Sequence, residues 1–174
     1  MPVFRTGIGF DAHRFAASGT RRSLWLACFR WTDDESRGIE GLEGDSDGVV
    51  AAHAAIDALL SASNLGDIGT FFGVGENSRA SGCSGSFMLS QTADYVAEHG
   101  WKTENISISI IGNSPRISAH RDEAAEAMSK AAKTAVTITA TTTDTMGFTG
   151  RSEGVAAYAV ALLSREERAE KEEK

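Results

Sequence analysis

A seven-residue stretch near the amino end, Gly7-Ile8-Gly9-Phe10-Asp11-Ala12-His13, constrains this chain more than any other. Alternate side chains of a β-strand project to the same face. As a strand it places Phe4, Ile8, Phe10 and Ala12 on one face, which reads as core, and Gly7, Gly9, Asp11 and His13 on the other. The second face carries two positions without side-chain bulk, then a carboxylate and an imidazole. Positions i and i+2 are about 6–7 Å apart along a strand, so both groups can lean onto one ion. A carboxylate oxygen and an imidazole nitrogen suit Zn²⁺ or a similar divalent metal.

Helical and extended patterns alternate through the rest of the chain. The bulky run at 23–31 reads as a strand, and the acidic stretch 32–41 as a hairpin tip or surface loop. Asp45, Ser46 and Asp47 offer N-cap side chains to a helix that starts at Val49 and ends near Asn64. His53 lies on its inner stripe, with Asp57 one turn on, where it could accept a hydrogen bond from one ring nitrogen. Residues 73–85 read as a second loop, 86–98 as an amphipathic helix stopped by Gly100, and 106–110 as a cleanly alternating strand. His99 fits the helix C-terminus, where an imidazolium is favoured. A loop at 112–116 precedes a helix at 119–132 with His120 on its solvated face, then a strand at 136–141 and a polar turn to Arg151. Periodicity does not separate helix from strand in the Ala-rich run 154–163. The order points to an α/β or α+β sheet with packed helices, forming one domain over 1–164 with a charged tail at 165–174.

A net charge of −7 without a basic stripe argues against nucleic acid or an anionic membrane as partner. No apolar run is long enough to span a bilayer, and the amino end carries no signal-peptide pattern. Cys28 and Cys83 lack metal-finger spacing and read as reduced thiols, so a cytoplasmic location is expected.

Three features carry chemistry. Asp11, His13 and His53 form a two-histidine, one-carboxylate set that leaves a fourth position open, as catalytic zinc sites do. Thr141-Thr142-Thr143-Asp144 ends a strand with three hydroxyls and a carboxylate, suited to phosphate oxygens and Mg²⁺. Asp67 with Gly69, and the loop 112–117, offer polar groups and close backbone approach for a sugar and a base.

Taken together, these residues resemble the 2-C-methyl-D-erythritol 2,4-cyclodiphosphate synthase family of the non-mevalonate isoprenoid pathway. The matching stretches are Gly9-Phe10-Asp11-Ala12-His13, Ser46-Asp47-Gly48 with His53 and Asp57-Ala58-Leu59-Leu60, and Leu65-Gly66-Asp67-Ile68-Gly69. Further on come Ile111-Gly112-Asn113-Ser114-Pro115-Arg116, and Ala140-Thr141-Thr142-Thr143-Asp144 running on to Gly147-Phe148-Thr149-Gly150-Arg151.

The resemblance implies an α+β, ferredoxin-like sheet with helices on one face, a strand after Gly154, and a homotrimer with active sites between neighbours. It implies Zn²⁺ on Asp11, His13 and His53, and Mg²⁺ or Mn²⁺ near Asp144, with a cytidine diphosphate substrate. Thr142 would hydrogen-bond a phosphoryl oxygen, Asp67 and Gly69 the sugar hydroxyls, and the backbone of Gly112, Asn113, Ser114, Pro115, Arg116 and Ile117 the cytosine. Ser46, Ile68, Phe72, Thr141, Thr143, Phe148 and Arg151 complete the implied substrate-binding set. Phe10, Arg151 and Glu153 match positions lining a central channel that can hold isoprenoid diphosphates.

One motif departs from the family. At the start of the helix the family reads His-Ser-Asp-Gly-Asp-Val, whereas this chain reads Asp45-Ser46-Asp47-Gly48-Val49-Val50. A carboxylate thus stands at the catalytic position where the family has a histidine facing substrate phosphate. Slow turnover is the expectation. The alternatives are a silent trimeric homologue that binds CDP or isoprenoid diphosphates, and a metal-dependent phosphohydrolase.

Overall fold

The computed structural model describes residues 1–44, 49–73 and 78–166. Its main sheet has four strands in the order β1 (Pro2–Arg14), β6 (Gly154–Glu166), β4 (Lys102–Ile111) and β5 (Ala135–Thr141). The first strand pairs antiparallel with the last along its whole length, from Pro2 opposite Glu166 to Arg14 opposite Gly154. Three longer helices, α2 (Val49–Ser63), α4 (Gly85–Glu98) and α5 (Arg121–Ala132), cover one face. Short helices α1 (Thr32–Ser36), α3 (Ile68–Phe72) and α6 (Gly147–Gly150) lie in the connections. None of the described helices is long and apolar enough to cross a membrane.

The topology is mixed, not ferredoxin-like. A ferredoxin-like subunit repeats β-α-β-β-α-β. Here the main sheet runs strand, helices, strand, helix, strand, strand, and β4 pairs parallel with β5. A parallel pair needs a crossover connection, and α5 supplies it. Strand β6, undecided from periodicity, is apolar because it lies between β1 and β4 with bulky or small apolar residues on both faces.

The expected polarity of β1 is reversed. Gly7 and Gly9 face the helices, while Phe4, Ile8 and Phe10 are 58%, 62% and 48% exposed on the open face. A Cβ at Gly9 would lie 2.0 Å from the Ala54 carbonyl oxygen, and one at Gly7 2.1 Å from that of Ala58. The backbones of β1 and α2 are therefore in near contact, and only glycine opposite an alanine-rich helix face permits it. Gly9→Ala must push α2 outward, and overpacking of this kind is expected to cost about 3 kcal/mol. Thermal denaturation checks this; an unchanged midpoint would show that α2 moves freely.

Three further expectations are corrected. Residues 23–31 do not form one strand: Trp25–Leu26 (β2) and Phe29–Arg30 (β3) pair across Ala27 and Cys28, both at positive φ. That geometry matches the tight hairpin turn whose two central residues are left-handed. The acidic stretch after it opens with α1, and Asp34 within it is buried. The tail expected from residue 165 begins as the end of β6, and residues 167–174 lie outside the described residues. Cys28 and Cys83 are unpaired, and burial pushes the Cys28 thiol up to about 12.

Candidate metal centre

The glycine face of β1 continues into Asp11 and His13, which therefore point toward α2. The close approach at Gly9 brings His53 of α2 down onto them. Asp11 Oδ2 lies 3.2 Å from His13 Nε2 and 3.1 Å from His53 Nδ1. All three are half-buried, with donor atoms within 4.8 Å of one another, the one such group of three among the described residues.

Several features fix these donors. The His13 Nδ1–H donates to the Glu43 carbonyl at 2.5 Å, which leaves Nε2 to face Asp11. The buried His53 Nε2 has no hydrogen-bond partner among the described residues. Burial works against ionisation of Asp11, but its hydrogen bonds to His13 and His53 prevail and hold the carboxyl well below the usual carboxylate range. The hydrogen bond to Asp11 raises the His13 pKa against the opposing effect of burial. One carboxylate oxygen flanked by two imidazole nitrogens fits a borderline divalent cation such as Zn²⁺. A metal there must displace the His13 proton, so its affinity falls as pH is lowered.

Asp57 does not orient His53. Its Oδ1 accepts the Ile68 N–H at 2.9 Å instead, and burial raises its pKa. That bond ties α2 to the start of α3, where Asp67 caps the helix by accepting the Thr70 N–H at 2.7 Å. Asp57 and Asp67 share a cleft of about 420 Å³ with Gly9, Phe10 and Gly66. Ile68 and Gly69 begin α3 beside it. Phe72 is buried against Phe71 in the core.

The other candidate residues gather at the same end of the sheet, because β1, β4 and β5 run parallel to one another. Thr141 ends β5; the Thr142 hydroxyl donates to Asp144 Oδ1 at 3.1 Å. The Thr143 hydroxyl donates to the Met146 carbonyl and meets Thr149 Oγ1 at 2.9 Å, so it holds the turn together. In the loop after β4, Gly112 N–H donates to the Thr141 carbonyl, linking the two strand ends. Asn113 donates to the Gly150 carbonyl and to Ser152 Oγ at 2.9 and 2.8 Å. Ser114-Pro115 is a cis peptide, Arg116 N–H faces Asp34, and Ile117 is buried. Phe148 is exposed and shares a cleft with His13, and Arg151 pairs with Glu153 at 2.7 Å.

No hydrogen bond or ion pair among the described residues joins Thr142 or Asp144 to Asp11, His13 or His53. Three strand spacings separate β1 from β5, about 14 Å. Asp45 and Ser46 lie outside the described residues. Two contributors escaped sequence reasoning. The Glu43 carbonyl has no side-chain signature, and Asp34 stands in a charged run that resembles a solvated loop.

The YgbB family model matches residues 4–164. A 2-C-methyl-D-erythritol 2,4-cyclodiphosphate synthase of Bifidobacterium longum subsp. infantis is 50% identical over 165 residues, covering 91% of this chain and 95% of its own. Among solved structures, the bifunctional IspDF of Campylobacter jejuni superposes with a TM-score of 0.79 at 29% identity, over 96% of this chain and 44% of that one. A CDP-bound 2C-methyl-D-erythritol-2,4-cyclodiphosphate synthase superposes with a TM-score of 0.75 at 29% identity, over 91% of this chain and 99% of the other.

Proposed function

The chain belongs to the YgbB family, and from that premise we propose that it converts 4-diphosphocytidyl-2-C-methyl-D-erythritol 2-phosphate to 2-C-methyl-D-erythritol 2,4-cyclodiphosphate and CMP. An oxygen of the 2-phosphate attacks the β-phosphorus, the bond from that phosphorus to the bridging oxygen breaks, and CMP departs with its electron pair. The substrate carries its own nucleophile, so the protein needs none. Its work is to hold a flexible chain in the ring-closing pose and to stabilise charge.

The observation that carries this proposal is the convergence of His13 and His53 on one carboxylate oxygen of Asp11. These three would hold Zn²⁺, and Asp144 would bind Mg²⁺ or Mn²⁺ jointly with diphosphate oxygens; the cations supply Lewis-acid polarisation of the phosphates. With Asp144 engaged by its cation, the Thr142 hydroxyl, which otherwise donates to Asp144, is released to donate to a phosphoryl oxygen. Ser46, Asp67, Ile68, Gly69 and the cleft below Asp57 receive the methylerythritol phosphate, and the backbone of 112–117 receives the cytosine. Thr141, Thr143, Phe148 and Arg151 border the diphosphate. Incubation of the purified protein with this substrate, with and without Zn²⁺ and Mg²⁺, tests the proposal. Metal-dependent CMP release with cyclic product supports it; a linear phosphate product indicates hydrolysis instead, and CDP binding without turnover a silent homologue.

The separation of Thr142 and Asp144 from the metal cluster favours a homotrimer, with each active site completed by a neighbour. The open face of the sheet supports this: Phe4, Ile8, Phe10, Tyr158 and Val160 are exposed together on adjoining strands. Contiguous apolar surface of this kind marks an interface. Ile8→Glu places a charge at the centre of that face and is expected to convert a trimer of 18.4 kDa chains to monomers, read by light scattering. A wild-type monomer would remove the trimer from the proposal. The central channel would then be bordered by Phe10, which packs on Tyr158, and by the Arg151–Glu153 pair. An isoprenoid diphosphate is its proposed occupant. A cytoplasmic location, with neither nucleic acid nor membrane as partner, completes the proposal.

A further inference from the structure

Helix α1 reaches across the molecule to the segment that follows β4. Asp34 is 5% exposed, and both its carboxylate oxygens face the Arg116 backbone N–H, at 3.3 and 3.4 Å. Its neighbour Asp33 holds the other end of the same segment: Asp33 Oδ2 lies 3.1 Å from His120 Nε2. The His120 ring also rests against Phe29 and Trp31 of the hairpin that leads into α1, with centroids 5.4 and 5.9 Å away. Consecutive carboxylates of one short helix therefore clamp two points four residues apart.

The clamp itself is anchored. Glu35 accepts the Leu24 N–H at 2.7 Å and pairs with Arg30 at 3.0 Å. Trp31 is fully buried and donates its indole N–H to the Leu26 carbonyl. Burying a carboxylate is costly unless a strong donor meets it. Arg37 Nη1, one turn on, lies 3.8 Å from Asp34 Oδ1 and offsets part of that charge, but the contact that reaches beyond α1 is the Arg116 amide, so Asp34 ties that remote loop to the helix.

We propose that Asp34 is a positioning residue for nucleotide binding: by fixing the Arg116 amide it keeps the backbone of 112–117 shaped to receive the pyrimidine base. This rests on the functional proposal above, in which that loop receives cytosine. Asp34 touches no substrate and acts only through the loop. Its influence should fall on ligands that carry the base and spare those that carry only phosphates.

The test compares CDP and inorganic pyrophosphate by calorimetry on the full chain with bound zinc. Asp34→Ala is expected to weaken CDP about tenfold, to speed amide exchange at Arg116, and to leave pyrophosphate affinity within twofold. Asp34→Asn, which keeps an acceptor oxygen, is expected to stay within threefold of wild type for CDP. Asp34→Leu keeps the branched shape without an acceptor, so it reads the same loss if the alanine variant fails to fold. A folded Asp34→Ala or Asp34→Leu protein that binds CDP as wild type does, or that loses CDP and pyrophosphate equally, overturns the assignment. Wild-type protein that does not bind CDP at all counts against the functional proposal itself and takes this inference with it.

Discussion

Asp11→Ala is expected to strip the protein of bound zinc and to lower CMP release about a thousandfold. Asp11 Oδ2 is the one atom that both imidazoles share, at 3.2 Å from His13 and 3.1 Å from His53. Without it two neutral nitrogens remain, one short of the three protein ligands that catalytic zinc sites use. A cation that neutralises charge on a reacting phosphate is worth several kcal/mol, and about 4 kcal/mol corresponds to a thousandfold in rate. The fold should survive, because the β1–β6 pairing is made by backbone atoms on either side of position 11. Asp11→Asn, which keeps the shape but not the charge, separates the two effects by showing the same thermal midpoint with the same loss of zinc. Stoichiometric zinc in the alanine variant, measured by atomic emission, would sink the assignment of the metal centre.

Asp45→His is expected to act in the opposite direction, raising turnover by about tenfold to a hundredfold. Position 45 lies outside the described residues, and the expectation comes from charge alone. A carboxylate about 4 Å from a phosphate, at an effective dielectric near 20, is repelled by about 4 kcal/mol. Rotation toward water or protonation relieves part of that, so the gain is smaller than the full figure implies. Asp45→Asn removes the repulsion without adding a cation and should recover part of the gain. Unchanged turnover in both variants would show that Asp45 does not face the phosphate. The companion change Val49→Asp is less attractive, since Val49 is 1% exposed at the start of α2 and a carboxylate there must be desolvated.

Parts of the fold were legible because their cause is local. Strand β4 alternates isoleucine with polar residues, and Ile106, Ile108 and Ile110 are buried as that alternation predicts. Helix α4 ends at His99, which bonds the Tyr95 carbonyl as a residue at a helix C-terminus should. Strand β6 was illegible because a strand flanked on both sides and apolar on both faces has no period to detect. The acidic segment at 32–41 misled for a related reason: hydrophilicity does not distinguish a carboxylate that faces water from one, like Asp34, that meets a distant amide.

The amino-acid sequence by itself singled out Asp11, His13 and His53 as one group, and the motifs around them pointed to the family whose model the chain matches. It placed β1, α2, α4, β4, α5 and β5 in their order, but not β6 or the hairpin and short helix between β1 and α2. Only the tertiary structure decided which face of β1 is inside. Side-chain hydrophobicity favours burying Phe4, Ile8 and Phe10, but the strand buries Gly7 and Gly9 because the separation of two backbones is a property of the pair and is written in neither segment alone. The same contact brings His53 to Asp11, so the inversion that hydrophobicity failed to foresee is what gathers Asp11, His13 and His53 into one group.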